Sequence, residues 1–306
     1  MKVLSFPIIT FLFLLGFSSF VAAQRSAEIF LNVTIERENN GFVNDLKAEN
    51  FRVRIGKTVQ QITSFQLNDE PISVGVLIDV SGSIGRANQL KNPGLKPFIE
   101  GVKQLVNLGN DTNEYFVTGF NTQIFSVVDK TKSRDVVLHG LEELQNAKTS
   151  GNTSFYDALR FGLEKISGAK HRKRVLLVMS DGTDNSSKST FNDISLALKS
   201  SDVLLYSVSF NPGGFSSIDS QQGFAFLDHL TALSGGKSLY VKKTDQIRSV
   251  FEKISTELRS QYMLGFMPTK EKSGKWNKIK VEVDLSENIS KQTGKIAVRY
   301  REGFVY

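Results

Sequence analysis

Three oxygen-bearing side chains follow an apolar segment of the sequence. Residues 77–85 read LIDVSGSIG, so Asp79, Ser81 and Ser83 occupy alternate positions, with glycines between and after the serines. If the apolar segment is a strand, Asp79 ends it, and open α/β folds bind ligands beyond the carboxyl ends of their strands. Because glycine permits a tight turn, we expect the three side chains to converge on one point.

Two later segments add oxygen ligands of the same kind. Thr153 lies in SGNTSFYDA at the start of a helical pattern, and Asp181 lies in VMSDGTDN at the end of another apolar segment. Hydroxyls and carboxylates without a nearby His or Cys suit a small hard divalent cation such as Mg²⁺, with Mn²⁺ and Ca²⁺ as alternatives. The predicted metal ligands are Asp79, Ser81, Ser83, Thr153 and Asp181.

Hydrophobic patterns predict the elements that must position these residues. Three nearly continuous apolar runs are typical of strands that helices cover on both faces, and hence of a largely parallel sheet. Helical patterns lie between the runs, and a further helix is predicted to begin near Pro97 after a break at Pro93. The sequence therefore predicts an α/β, Rossmann-like fold with right-handed crossovers. The apolar runs are 73–79, 174–181 and 202–210, and the helical patterns include 153–168 and 244–260.

The two ends of the mature chain have a different pattern. Apolar and polar residues alternate in 27–36 and 51–55, and again in 278–285 and 295–300. This alternation indicates half-exposed antiparallel strands, and neither end has enough of them to be stable alone. We therefore predict one small antiparallel β domain made by both ends, with the α/β domain inserted in it; two independent flanks are the alternative. The predicted segments are 24–70 and 261–306 for the β domain and 71–260 for the α/β domain.

The N-terminus has the layout of a secretory signal. Residues 1–23 carry one charge, Lys2, then an apolar run, and end in small residues up to Ala23. We expect cleavage near Ala23 and a secreted, periplasmic or cell-surface protein with no transmembrane segment after signal removal; a retained N-terminal anchor is the alternative. The 306 residues include no cysteine, which excludes thiol chemistry and leaves stability to the core alone.

Other features point away from nucleic acid and from catalysis. The net charge of +7 is a mild bias toward acidic partners, and the basic run KHRKR at 170–174 is interpreted as a solvated loop. The three histidines are far apart, no Gly-x-Ser-x-Gly motif is present, and SGGKS at 234–238 lacks the first glycine of a phosphate-binding loop. That segment is instead predicted to end a helix and lead into a strand. The sequence predicts no catalytic residue.

The motifs resemble a known family. DVSGS at 79–83, the later Thr153 and SDGTD at 180–184 resemble the von Willebrand factor type A (VWA) domain and its metal-ion-dependent adhesion site, over about residues 71–260. The flanking segments resemble a secreted bacterial subfamily, the VWFA-related proteins. One departure from the family pattern is the GNT at 151–153, where two glycines usually precede the threonine.

The resemblance implies a mode of metal binding. By it, Ser81 and Ser83 bind the metal directly, Thr153 binds directly or through water, and Asp79 and Asp181 bind mainly through water. The sixth position would be left for a carboxylate from a protein partner, and movement of the last helix, about 244–259, could gate binding. The identity of the partner, the metal carried and the oligomeric state are not given by the sequence.

These sequence features are compatible with two functions of different classes. The first is an exported, non-enzymatic binding or adhesion module whose metal bridges to an acidic residue of another protein. The second is a metal-assisted hydrolase, for which Asp157 and Asp184 are the candidate general bases. These two carboxylates could equally orient metal ligands or serve as loop and helix-terminus residues. A structural protein with a vestigial metal site is a third possibility.

Overall fold

The computed structural model describes residues 28–38, 41–67, 69–85, 94–210, 218–269, 274–285 and 295–305. The predicted signal, 1–23, and the predicted break at Pro93 lie outside these residues. In the described part of the chain, no helix is both long and apolar enough to span a membrane.

Strands and helices follow one another along the described chain. The strands are β1 (Ile29–Arg37), β2 (Phe51–Ile55), β3 (Thr58–Gln60), β4 (Ile62–Leu67), β5 (Ser73–Asp79), β6 (Glu114–Phe120), β7 (Ile124–Thr131), β8 (Arg174–Met179), β9 (Leu204–Phe210), β10 (Lys237–Val241), β11 (Tyr262–Phe266), β12 (Trp276–Val283), β13 (Ile296–Arg299) and β14 (Gly303–Val305). The helices are α1 (Gly82–Gly85), α2 (Lys96–Leu108), α3 (Arg134–Gln145), α4 (Phe155–Ser167), α5 (Phe191–Lys199), α6 (Ile218–Ser234) and α7 (Asp245–Arg259).

The central sheet has six strands in the order β10-β9-β8-β5-β6-β7. Every neighbouring pair is parallel except β6 and β7, which are antiparallel. All seven residues of β5 are buried, because β5 has a strand on each side and helices on both faces. The predicted α/β fold with a mostly parallel sheet is confirmed, and SGGKS does end α6 and enter β10.

Two apolar cores lie on opposite faces of this sheet. On one face, Val76 and Ile78 of β5 join residues of α2, α3 and α7, among them Phe251. On the other face, Leu77 joins residues of α4, α5 and α6, among them Leu159. Gly101 of α2 allows a close approach to α7, since a Cβ atom there would lie 2.3 Å from the ring of Phe251. Consecutive residues of one buried strand therefore serve different cores.

The chain ends form two antiparallel sheets, ordered β13-β1-β11-β4 and β14-β12-β2-β3. Strand β1 from the N-terminal end pairs with β11 and β13 from the C-terminal end, and β2 pairs with β12. A third apolar core, which includes Leu31, Val53, Tyr262 and Ile279, lies between them. The prediction of one β domain made by both ends is confirmed, and the alternative of two independent flanks is wrong.

The β domain contacts the amino ends of the central strands through charged groups. Arg299 of β13 donates through Nη1 to the carbonyl of Gly235, 3.0 Å away, just after α6. Arg301 donates to the carbonyl of Ser201, also at 3.0 Å, just after α5. Glu36 of β1 accepts from Lys237 and from Lys253 at 2.8 Å each. The two arginines thus hold the β domain against helix C-termini, and Glu36 ties it to β10 and α7.

The basic run at 170–174 is not entirely a solvated loop. Lys170 and Arg172 are exposed, but Lys173 is buried and donates from Nζ to the carbonyl of Leu258, in the last turn of α7. The solvated-loop interpretation is therefore wrong for Lys173. Its ammonium group satisfies one of the carbonyl oxygens that a helix leaves unpaired at its C-terminus.

Candidate metal centre

Asp79 is the last residue of β5 and the most buried acid of the candidate centre. Only 2% of it is exposed. One carboxylate oxygen accepts from the backbone N–H of Ser81 at 2.9 Å, and the other accepts from the hydroxyl of Ser180 at 3.0 Å. Burial, together with the negative charge of Asp181, raises the pKa of Asp79 to about 6 against the lowering effect of these hydrogen bonds. Asp79 and Asp181 also line the same cavity, which places the two carboxylates near each other.

Ser81 and Ser83 lie in the turn that follows β5. Their hydroxyl oxygens are 2.9 Å apart, and Ser81 is buried while Ser83 is exposed. Neighbouring ligands of an octahedral Mg²⁺ with bonds of about 2.0–2.1 Å are separated by about 2.9 Å. The two hydroxyls therefore have the separation needed to bind one ion side by side.

Thr153 lies in a loop that packs against this turn. Gly82 donates its N–H to the carbonyl of Gly151 at 3.0 Å, and Ser150 donates to the carbonyl of Val80 at 3.1 Å. Thr153 is buried, and its N–H donates to the side-chain oxygen of Asn185 at 2.8 Å. The loop that carries Thr153 is thus held between the turn after β5 and the loop after β8.

Asp181 follows β8, the strand adjacent to β5. One of its carboxylate oxygens accepts from the N–H of Thr183 at 2.9 Å. Gly182 has a φ of +77°, and a Cβ atom there would lie 2.4 Å from the carbonyl oxygen of Gly223 in α6. Glycine is therefore required at 182, because both the backbone conformation and the contact with α6 exclude a side chain.

Asp79, Ser83 and Asp181 line one cavity of about 190 Å³ at the carboxyl edge of the central sheet. A family model for the von Willebrand factor type A domain matches residues 73–253, which is more than half of the chain. The chain belongs to the VWA family. No curated protein matches its sequence.

Solved structures are similar to this chain at low sequence identity. Proximal thread matrix protein 1 from the mussel byssus, in a structure described as having a zinc-occupied MIDAS motif, has 16% identity and a TM-score of 0.53; the match covers 68% of this chain and 50% of that one. The PilB minor pilin from Streptococcus sanguinis has 14% identity, covers 63% of this chain and 62% of that one, and has a TM-score of 0.47. BatB from Bacteroides thetaiotaomicron has 12% identity, covers 62% and 100%, and also has a TM-score of 0.47. This VWA chain therefore spans about half of the mussel protein and less than two thirds of the pilin.

The donor set of the candidate centre fits a hard divalent cation. In the described residues, no group of three or more His, Cys, Asp or Glu side chains could hold a metal ion, so any site here depends on hydroxyl oxygens as well as acids. The charged neighbour that acts on the buried Asp79 is Asp181, which has the same sign. Two adjacent carboxylates, one of them desolvated, favour a bound cation. Three hydroxyls and two carboxylates are oxygen ligands of the kind that Mg²⁺ and Ca²⁺ prefer.

Asp157 and Asp184 bind backbone groups next to this VWA centre. Asp157 accepts from the N–H groups of Lys188 and Ser189 at 2.9 and 2.8 Å. Burial tends to raise the pKa of Asp157, but these hydrogen bonds outweigh it and the pKa is lowered. Asp184 accepts from the N–H of Tyr156 at 3.2 Å, in the first turn of α4. Both carboxylates tie the loop after β8 to the start of α4.

Two residues that support the centre were not predicted as part of it. Ser180 donates to Asp79, and Asn185 both accepts from the N–H of Thr153 and donates its own N–H to the carbonyl of Thr153 at 3.1 Å. The motif VMSDGTDN contains both residues, but local sequence gives no indication that they contact residues about 30 or 100 positions away. Their long-range partners depend on the order of the strands, which the sequence pattern does not specify.

Proposed function

We propose that this VWA chain is an exported, non-enzymatic binding module. It holds a divalent cation with Asp79, Ser81, Ser83, Thr153 and Asp181, and through that ion it binds an acidic residue of a protein partner. The observation that carries the proposal is the pairing of a desolvated carboxylate, Asp79, with a nearby second carboxylate and two serine hydroxyls 2.9 Å apart. A cation in this position relieves the repulsion and uses the hydroxyl oxygens as ligands.

The charge balance of the site favours capture of an outside anion. Asp79 already accepts hydrogen bonds on both carboxylate oxygens, which supports a role for it through water rather than as a direct ligand. Neutral hydroxyls in direct contact leave more of the ion's charge for a ligand from outside. A partner carboxylate would then complete the coordination. Mg²⁺ is the ion we favour, with Mn²⁺ and Ca²⁺ as alternatives, and the zinc named for the mussel protein's MIDAS motif makes zinc worth testing.

A metal-assisted hydrolase would need a general base near the ion, and the site offers a weak candidate at best. Asp157 and Asp184 were the two carboxylates considered for that role. Both accept hydrogen bonds from backbone N–H groups, and the lowered pKa of Asp157 makes it a poorer base near neutral pH. This arrangement supports binding over catalysis.

The partner and the location are inferred from other features. Residues 1–23 have the layout of an export signal, so the partner is expected outside the cytoplasm. The net charge of +7 adds a mild attraction to an acidic protein surface. No motif for nucleic-acid binding accompanies that charge.

Thermal unfolding with and without metal tests the proposal. At a free Mg²⁺ concentration about 100-fold above its Kd, binding to the folded state alone adds about 2.7 kcal/mol of stability, so we expect the melting temperature to rise by several degrees relative to EDTA. Asp79→Asn should abolish this rise, and Ser81→Ala should reduce it. Asp202→Asn is the matched control, because Asp202 is a carboxylate paired with Arg174 at the opposite edge of the sheet. A wild-type protein that does not respond to Mg²⁺, Mn²⁺, Ca²⁺ or Zn²⁺ would contradict the proposal.

An activity screen tests the non-enzymatic part separately. Phosphatase and esterase substrates are incubated with wild-type protein in the presence of Mg²⁺ or EDTA. We expect no saturable turnover. Metal-dependent turnover that disappears in Ser81→Ala would overturn this part and favour the hydrolase.

A further inference from the structure

The cavity beside the candidate metal ligands has walls of two kinds. On its polar side lie Asp79, Ser83, Ser180 and Asp181, which belong to the candidate centre or support it. The remaining wall is almost entirely apolar and comes from the turn after β5, the start of α2 and the carboxyl ends of β8 and β9. Its apolar residues include Ile84, Leu95, Phe98, Met179, Val208 and Phe210.

The size of the cavity matches one large side chain. Its volume is about 190 Å³, and an engineered cavity of about 150 Å³ with a similar apolar lining binds benzene. Leu95, Phe98, Met179 and Val208 are buried, whereas Ile84 and Phe210 are only partly buried. The walls of an apolar cavity gain dispersion contacts when an apolar group fills it. An apolar group that enters from the side of the metal ligands would supply those contacts.

We propose that the partner segment presents a large apolar side chain, aromatic or aliphatic, next to its acidic residue, and that this side chain occupies the cavity. The inference rests on the proposed function, because the acidic residue is the one that completes the metal coordination. Three of the five candidate ligands, Asp79, Ser83 and Asp181, also line the cavity. A carboxylate bound at the ion therefore lies within the reach of a neighbouring side chain from the apolar wall.

Small carboxylates provide a direct test with the metal-loaded protein. The probes are phenylacetate, phenylpropionate and phenylbutyrate, each compared with acetate, propionate or butyrate of the same spacer length. Binding is measured by NMR titration of the protein in saturating Mg²⁺ and again in EDTA. Burial of a phenyl group is expected to make the best phenyl-bearing acid bind about tenfold or more tightly than its alkyl counterpart, and only with Mg²⁺.

Two variants assign that preference to the cavity. Val208→Phe should fill it from β9 without changing a candidate ligand, so the phenyl preference should disappear while the Mg²⁺-dependent rise in melting temperature remains. Leu196→Phe is the control, because Leu196 is exposed on α5 and outside the cavity lining, and it should retain the full preference. Thermal unfolding shows whether each variant is folded.

The outcomes separate the two proposals. If phenyl-bearing and alkyl acids bind equally and only with Mg²⁺, the proposed function stands and the apolar pocket is rejected. If Mg²⁺ itself does not bind, the proposed function fails and the inference falls with it. Phenyl preference that persists in EDTA, or that survives Val208→Phe, would overturn the claim that the cavity acts together with the metal.

Discussion

Charged side chains at the two edges of the central sheet have opposite kinds of surroundings. At the amino edge, the buried Lys173 and the partly buried Arg299 and Arg301 each donate to a carbonyl in or just after the end of a helix. At the carboxyl edge, Asp79 is buried beside a second acid, Asp181. The first edge places the partial negative charge of backbone carbonyls beside its cations, although burial still lowers the pKa of Lys173. The second edge contains repelling charges of the same sign.

The direction of the helices explains much of this difference. Each helix that follows a parallel strand of the sheet has its C-terminus at the amino edge, and the carbonyl groups there have a partial negative charge that favours cations. The N-termini point to the carboxyl edge, but at the start of α4 one of the free N–H groups already donates to Asp184. A cation bound as proposed would supply positive charge beside Asp79 and Asp181. The amino edge holds the β domain, and the carboxyl edge holds the candidate metal centre.

The largest effect is expected where the β domain meets α7. Arg299 donates to Glu257 at 2.7 Å, and Glu257 is 2% exposed. Arg299→Ala would remove the hydrogen-bonded ion-pair partner of a buried carboxylate, so we expect the free energy of unfolding to fall by about 3–5 kcal/mol in denaturant titration. Arg248→Ala, which removes a surface pair with Glu252, should cost less than about 1 kcal/mol. Equal losses in the two variants would show that the amino edge has no special role.

Lys173 gives the amino edge a pH dependence. Burial lowers the pKa of Lys173 to about 7, against the raising effect of Glu257. The folded state therefore binds this proton less tightly than the unfolded chain does. The resulting loss of folding free energy is complete below about pH 7 and becomes smaller as the pH rises from about 7 toward the ordinary pKa of lysine. Relative to Lys173→Met, the wild-type protein should be less stable at pH 6 by on the order of 2–4 kcal/mol, and the gap should narrow by pH 9. A gap that does not change between these pH values would contradict this picture.

The third prediction concerns Asp79 at the carboxyl edge in the absence of metal. Its pKa, raised to about 6 by burial and Asp181, means that the folded state holds this proton more tightly than the unfolded chain. The stabilisation that comes from this tighter proton binding is fully present below about pH 4 and is lost as the pH rises through about 6. In EDTA at pH 7, Asp79→Asn should therefore be more stable than wild type by about 1–3 kcal/mol. A variant that is less stable than wild type in EDTA would show that the charged carboxylate of Asp79 does not destabilise the folded state.

The comparison of edges also shows what the sequence could predict. The apolar runs that end at Asp79 and near Asp181 predicted two buried strands, because a strand covered on both faces has no polar face. That pattern also indicated the edge at which the oxygen ligands would lie. Placing Asp79 next to Asp181 required β5 and β8 to be neighbours, and hydrophobicity does not encode strand order. The resemblance to the VWA family supplied only the expectation that these ligands share one metal site.

The amino edge was much harder to predict. Lys173 lies in a run of basic residues that is typical of solvent-exposed loops, yet it is buried under the end of α7. Its partner, the carbonyl of Leu258, is a backbone group and has no sequence signal. Strand β11, which pairs with β1 and β4, was likewise not identified from its short apolar run. Contacts made by backbone carbonyls across domains depend on the completed tertiary structure.

The smallest expected effect tests whether Asp157 belongs to the metal centre or only to its loop. Asp157→Ala removes two acceptors of backbone N–H groups, from Lys188 and Ser189, and should cost about 1 kcal/mol in the free energy of unfolding. Because Asp157 anchors the loop rather than the ion, the Kd for Mg²⁺, measured by calorimetry, should change by less than about threefold. A loss of tenfold or more in metal affinity at unchanged stability would place Asp157 among the groups that orient the ligands. The carboxyl edge would then rely on a third acid in addition to Asp79 and Asp181.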